Sequence, residues 1–165
     1  MKHCEGTLKE LWGDKDLAVN LLLMSGIWSI TSFAFYLGKF QLTHVAGDIF
    51  KNSFFSSIAD TIGHPFGFVV YRNMKTRFAF ALLFGMSALG SFPLLFSEAA
   101  SQDYRDIVVP GCLFVMNFGI AAAFANLYMG HMDLFPIVFS TTSMGICNFI
   151  ARTLTVFAPI IGEID

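Results

Sequence analysis

Apolar residues in this chain come in long unbroken stretches, not in the alternation of a half-buried strand or the narrow stripe of a surface helix. Five charge-poor stretches stand out, over residues 17–38, 49–71, 78–97, 107–132 and 135–161. The first is uncharged and closed by Lys39, and the third has no ionisable group. The second carries Lys51 near its start with Asp60 and His64 inside, and the fifth carries Arg152 inside. A bilayer core about 30 Å thick takes about 20 apolar residues of helix. Backbone amides find no water there, so each stretch is expected to be a helix, and each is too long for a barrel strand. The expected fold is an all-α membrane protein of about five transmembrane helices over residues 17–162. A cytoplasmic polar segment at 1–16 precedes them and a tail at 163–165 follows.

The polar segment mixes Lys2, Glu5, Lys9, Glu10, Asp14, Lys15 and Asp16 ahead of the first apolar run, unlike the purely basic start of a cleaved signal peptide. A short interfacial helix is expected over Leu8 to Leu11. Pro65, Pro93, Pro110 and Pro159 fall within the spans, where a packed bundle tolerates them as kinks. Gly119, Ala123 and Gly130 make a small-residue stripe on which helices can approach closely.

Composition points the same way. Hydrophobic residues are 55% of the chain and charged ones 13%, against about 45–50% and about 25% in soluble domains, so in water the chain would expose large apolar patches. Twenty Phe and eight Met fit a lipid-facing, loosely shaped interior better than an ordinary core. A net charge of -2 with no basic run among aromatics argues against nucleic acid. Cys4, Cys112 and Cys147 lack metal-ligand or CxxC spacing and read as small buried hydrophobes. No Ser/His/Asp arrangement, phosphate loop or metal-ligand cluster is present, so no enzyme activity and no cofactor are expected.

Basic residues set the orientation. With the amino end cytoplasmic, Lys2, Lys9, Lys15, Arg72, Lys75 and Arg77 lie inside, and Lys39, Lys51 and Arg105 outside. The tight loop from Arg72 to Arg77 weighs most.

An ionisable group inside a span costs a few kcal/mol and tends to mark a cavity or a partner. Helical spacing aligns Ser53, Ser57, Asp60 and His64 on the second span and Asn148, Arg152 and Thr155 on the fifth, while Ser25, Ser29, Ser32 and Tyr36 line the first. Two readings follow: a water-accessible cavity between three helices, or Asp60 paired with Arg152 or His64 as a structural ion pair.

From Phe118, the runs FGIAAAFANLYMGHMDLFP and IVFSTTSMGICNFIARTLTVFAPII resemble the major facilitator superfamily, in its organic cation and anion transporter branch. Asp133, Leu134, Phe135 and Pro136 fall on that branch's acid-Leu-aromatic-Pro loop. Gly145, Arg152, Ala158 and Pro159 fall on the following helix, and Gly47-Asp48-Ile49 opens the second span. The resemblance implies that the five spans correspond to helices seven to eleven of the carboxy-terminal six-helix bundle. It implies substrate contacts at Arg152, His64, Tyr36, Phe35 and Asn148, and coupling or gating roles for Asp60, Asp133, Arg72 and Arg77. Arg152, where cation carriers have an acid, implies an anionic substrate. The chain departs from the family in the loop Arg72-Asn73-Met74-Lys75-Thr76-Arg77, which lacks glycine, and in Ile137-Val138-Phe139-Ser140, which lacks the usual Thr and Arg.

Such transporters use two six-helix halves around a central site. The expectation is therefore a fragment of a secondary-active transporter for small organic ions, embedded in the plasma membrane, working by alternating access and partnered by a missing amino-terminal half. The alternative is a truncated non-transporting membrane protein with a structural or interaction role.

Overall fold

The computed structural model describes residues 8–42, 48–96 and 102–162. Helices dominate these residues and no strand occurs among them. The order is α1 (Leu8–Gly13), α2 (Lys15–Gln41), α3 (Ile49–Asn73), α4 (Thr76–Ser91) continued by a 3-10 helix (Phe92–Phe96), α5 (Gln102–Leu134), α6 (Ile137–Thr155) and α7 (Ala158–Gly162). Helix α1 stands where a short helix is expected from the sequence, with Leu11 fully buried. Cys4, Gly47 and the tail at 163–165 lie outside the described residues.

Local chemistry sets several boundaries. Asp14 accepts a hydrogen bond from the Asp16 amide at 3.0 Å and so caps α2, and Asp48 does the same for α3 through Phe50 at 2.9 Å. Pro136 separates α5 from α6, since the residue before proline is driven out of helical geometry. Pro65 and Pro110 are both carried inside helices, α3 and α5.

Four stretches among the described residues are long and apolar enough to cross a membrane: Lys15–Phe40, Thr76–Phe96, Ile107–Leu134 and Ile137–Ile161. Helix α3 has the length, at 25 residues, but its run from Lys51 to His64 is rich in charged, Ser, Thr and Asn side chains. This helix buries small and polar side chains and exposes large apolar ones among its other residues. Its buried residues are Asn52, Ser56, Ala59, Gly63, Gly67 and Val70, while Phe50 is 83% exposed and Phe54, Ile62 and Phe68 are exposed beside it. A helix in water has the opposite arrangement, and in a bilayer this one places small and polar residues where helices meet. The chain is a multi-pass integral membrane protein.

Helix α5 is the hub. Helices α3 and α4 pack on it, whereas α2 packs chiefly against α6 and makes smaller contacts with α5 and α7. Glycine makes the first two interfaces. A Cβ on Gly63 would lie 2.8 Å from Ala121 Cβ and 2.9 Å from the Phe118 carbonyl, and one on Gly67 would overlap the Ala122 backbone. On the other face, a Cβ on Gly119 would sit 2.6 Å from the Leu83 carbonyl of α4. The expected small-residue stripe thus holds a close approach at Gly119. At Gly130 the nearest atoms, on Thr76 and Tyr71, are in ordinary contact at 3.8 and 3.9 Å.

A Cβ added to Gly85 of α4 would have nothing within 4 Å of it, in contrast to one on Gly63. Gly85→Ala is expected to leave thermal unfolding in detergent unchanged or to raise it slightly, because alanine is favoured over glycine by up to about 1 kcal/mol inside a helix. A marked fall in midpoint would mean that α4 packs there against something other than lipid.

Candidate functional site

The carboxy-terminal part of α2 gathers the polar chemistry of the bundle around two aromatic rings. Phe35 and Tyr36 meet edge to face, with centroids 5.6 Å apart, and Phe35 meets Phe124 of α5 in the same way at 5.4 Å. Such pairs fix ring orientation beyond what burial alone would do. From α6, Arg152 donates a hydrogen bond to the Tyr36 hydroxyl at 2.6 Å, its guanidinium carbon 5.6 Å from the ring centroid. Two expected site residues from spans one and five therefore do meet, and Phe35 stands next to them.

On the other side of Phe35 stands a residue whose place in the sequence suggests an outside loop charge. Lys39 Nζ lies 5.3 Å from the Phe35 centroid, 2.6 Å from Asp60 Oδ2 of α3, and within hydrogen-bonding distance of Ser56. Asp60 thus pairs with Lys39 and not with Arg152 or His64. The reason is geometric: α2 runs on to Gln41, so Lys39 is still on the helix and can extend its flexible stem back into the bundle. The sequence signal is the position of Lys39 at the edge of an apolar span, which is equally that of a snorkelling loop residue.

The charges do not balance around the rings. Lys39 is matched by Asp60, whereas among the described residues no carboxylate pairs with Arg152. The string Asp60–Lys39–Phe35–Tyr36–Arg152 links α3, α2 and α6 and carries a surplus cation at the α6 end. Asp60 Oδ1 is buried without a hydrogen-bond partner among the described residues.

The remaining expected residues lie elsewhere. His64 is exposed on α3, and Ser57, exposed as well, donates to the Ser53 carbonyl of its own helix at 2.9 Å. The polar stripe Ser53–Ser57–Asp60–His64 is one face round from the buried face, which carries Ser56 and Gly63 instead. Asn148 also turns to its own helix, donating to the Met144 carbonyl at 3.0 Å. At the other end of the bundle the Tyr71 hydroxyl donates to Asp133, tying α3 to the end of α5. Arg72 lines a groove of about 500 Å³ with Tyr71 and Asp133, and Arg77 lines a separate groove at the start of α4.

A buried knot is a further feature that the sequence does not announce. His131, fully buried on α5, has Nε2 2.9 Å from Ser143 Oγ and 3.3 Å from the Ser140 carbonyl of α6. Its ring stacks on Phe135 at 4.7 Å and meets Trp28 of α2 at 6.4 Å. It joins three helices around the turn at Pro136. A lone histidine near the end of an apolar span is only a weak hint of this.

No protein-family model matches the chain, and no solved structure matches it. Curated proteins do. Solute carrier family 22 member 4 of Mus musculus is 22% identical over 159 residues, 96% of this chain and 28% of the mouse protein. Organic cation/carnitine transporter 2 of Homo sapiens is 24% identical over 134 residues, 81% of this chain and 23% of the human protein. These relatives are membrane transporters. The chain spans about a quarter of the length of the two transporters, so its helices are similar to one part of each. The matched stretch takes in nearly all of α1 to α7, including the helices that bear Tyr36, Lys39, Asp60 and Arg152.

Proposed function

We propose that the chain contributes a five-helix wall to a secondary-active transporter of small organic ions, and that the ions are anions. The observation that carries this reading is Arg152, a membrane-embedded cation with no carboxylate partner among the described residues, held by Tyr36 beside Phe35. A guanidinium in that setting offers a carboxylate two parallel hydrogen bonds, and the neighbouring rings offer a face to the organic part of the substrate. An apolar groove of about 460 Å³ on the same two helices, lined by Phe33, Leu37, Leu154 and Phe157, would take an apolar body. Asp60, with one oxygen on Lys39 and the other unpartnered, takes the coupling or gating role.

In this reading the spans follow helices seven to eleven of the organic cation and anion transporter branch of the major facilitator superfamily. The amino end faces the cytoplasm, residues 1–16 and 163–165 flank the bundle, and the plasma membrane is the site of action. Similarity to a quarter of each relative supports an assembly in which the rest of the pathway, an amino-terminal half, lies in transporter sequence outside these 165 residues. Alternating access then rocks the two halves about the site, with Tyr71–Asp133, Arg72 and Arg77 as gating contacts at the cytoplasmic end. His64 and Asn148 enter the pathway only if the second half brings substrate to their faces.

The test is ligand-induced thermal stabilisation of the purified chain in detergent, with aromatic carboxylates against quaternary amines of similar size. Carboxylates are expected to raise the unfolding midpoint. Arg152→Ala should weaken their apparent affinity about tenfold to a hundredfold, the range for a hydrogen bond to a charged group, and Tyr36→Phe should do so less. Equal response to both ligand classes, or an unchanged response in Arg152→Ala, would remove Arg152 from the site.

A further inference from the structure

The end of the bundle that carries the Tyr71–Asp133 bond also carries an exposed cationic patch, away from Arg152 and Tyr36. Helix α3 ends at Asn73 and α4 begins at Thr76, so Arg72, Lys75 and Arg77 crowd into six residues between two membrane helices, all three exposed. Among the described residues no carboxylate pairs with any of them, and Asp133, the acid at this end of α5, is already engaged by Tyr71. Like charges this close repel one another, and an anion relieves the repulsion.

The shape below the patch narrows the choice of anion. A groove of about 700 Å³ is lined by the cations Lys75 and Arg77, by Thr76, and by the apolar side chains of Phe78 and Ala81. From there an apolar stripe continues along the outer face of α4. Phe78, Leu82, Leu89 and Phe92 are exposed at helical spacing, and a Cβ added to Gly85 would meet nothing. A small soluble anion would use the cations and ignore the stripe. A molecule with an anionic head and two long hydrocarbon tails would use both. Juxtamembrane basic clusters attract anionic lipids by charge, and here the charge is joined to a seat for the tails.

We propose that the Lys75–Arg77 groove and the outer face of α4 form a binding site for an anionic phospholipid, its headgroup phosphate between Lys75 and Arg77 and its acyl chains along Phe78 and Leu82. The site is separate from Arg152 and holds whether or not the chain transports organic anions. The lipid fastens the short loop between α3 and α4 to the bilayer surface, at the end where Tyr71 ties α3 to α5.

The test is native mass spectrometry of the full chain released from vesicles of phosphatidylcholine and phosphatidylserine. Wild type is expected to retain phosphatidylserine over phosphatidylcholine. The double variant Lys75→Gln/Arg77→Gln should lose that preference by about thirtyfold, from two surface cations each interacting with an anionic headgroup. Lys75→Arg/Arg77→Lys, which keeps both charges, should retain it, and so should Lys51→Gln, which removes a cation from the first turn of α3 at the opposite end. Equal loss in Lys51→Gln would make the effect one of net charge and overturn the site. Displacement of the lipid by inorganic phosphate at matched ionic strength would identify a phosphate site instead and overturn the lipid. Phosphatidylserine binding unchanged in the glutamine variant would overturn both.

Discussion

Gly67→Val is expected to destabilise the bundle by about 3 kcal/mol or more, at or beyond the top of the range for overpacking a core. A Cβ at this position would overlap the backbone of Ala122, and Ala125 Cβ is 2.9 Å from the same point. Backbone cannot rotate aside as a long side chain can. Helices α3 and α5 would have to separate along the interface that also seats Gly63 against Ala121 and Phe118. Thermal unfolding followed by circular dichroism in detergent reads the effect directly. Crosslinking between cysteines placed at Phe66 and Phe118, whose rings lie 4.9 Å apart across the interface, should fall in parallel, since it reports the α3–α5 contact itself. A midpoint within a degree of wild type would mean that the two helices do not pack through Gly67.

The second large effect concerns Lys39 and Asp60, and its sign depends on how many charges are removed. Lys39→Met leaves the Asp60 carboxylate in the bundle with one oxygen newly freed and the other already unpartnered. An unpaired charge near the middle of a membrane helix costs about 2.5–3.5 kcal/mol on insertion scales, and the partial exposure of both side chains, 30% and 23%, lowers that here. A loss of about 1–2 kcal/mol is expected for Lys39→Met, and a similar one for Asp60→Leu. The double variant should regain most of it, because replacing both members of an embedded pair by apolar groups is often neutral or better. Unfolding midpoints of the four proteins make the cycle. If the double variant is as unstable as the sum of the singles, the pair is not coupled and the contact between α2 and α3 has another origin.

Stability and function part company at this pair. A double variant that is stable yet no longer binds organic anions would assign Lys39 and Asp60 to the transport site. One that is stable and binds normally would leave them a fastening between α2 and α3.

The run of residues 17–38 illustrates what can be read without coordinates. Once a segment holds twenty apolar residues and no charge, helix in a bilayer is the one arrangement that satisfies both its side chains and its amides. Long helices stand where the pattern expects them, but α5 begins at Gln102, ahead of the expected 107, α2 continues past 38 to Gln41, and the fifth stretch, 135–161, is divided into α6 and α7. The pairing of Arg152 with Tyr36 is half legible, as an embedded cation and an aromatic on different spans, each in need of a partner. Lys39 is not legible, because a long flexible side chain at the end of a span can point out to water or back into protein from the same backbone position.

Membrane helices follow from the chain alone because the bilayer acts on each segment separately. Which face of each helix turns inward is a property of pairs. On α3 the stripe with the greatest polarity, from Ser53 to His64, is the one expected to face a cavity, yet the buried face carries Ser56, Gly63 and Gly67, since close approach to Ala121 and Ala122 demands absent side chains more than polar ones. The choice of Lys39 for Asp60, of Tyr36 for Arg152, and of Ser143 for His131 is likewise made by helix packing, which brings together residues that lie 21, 116 and 12 positions apart in the chain.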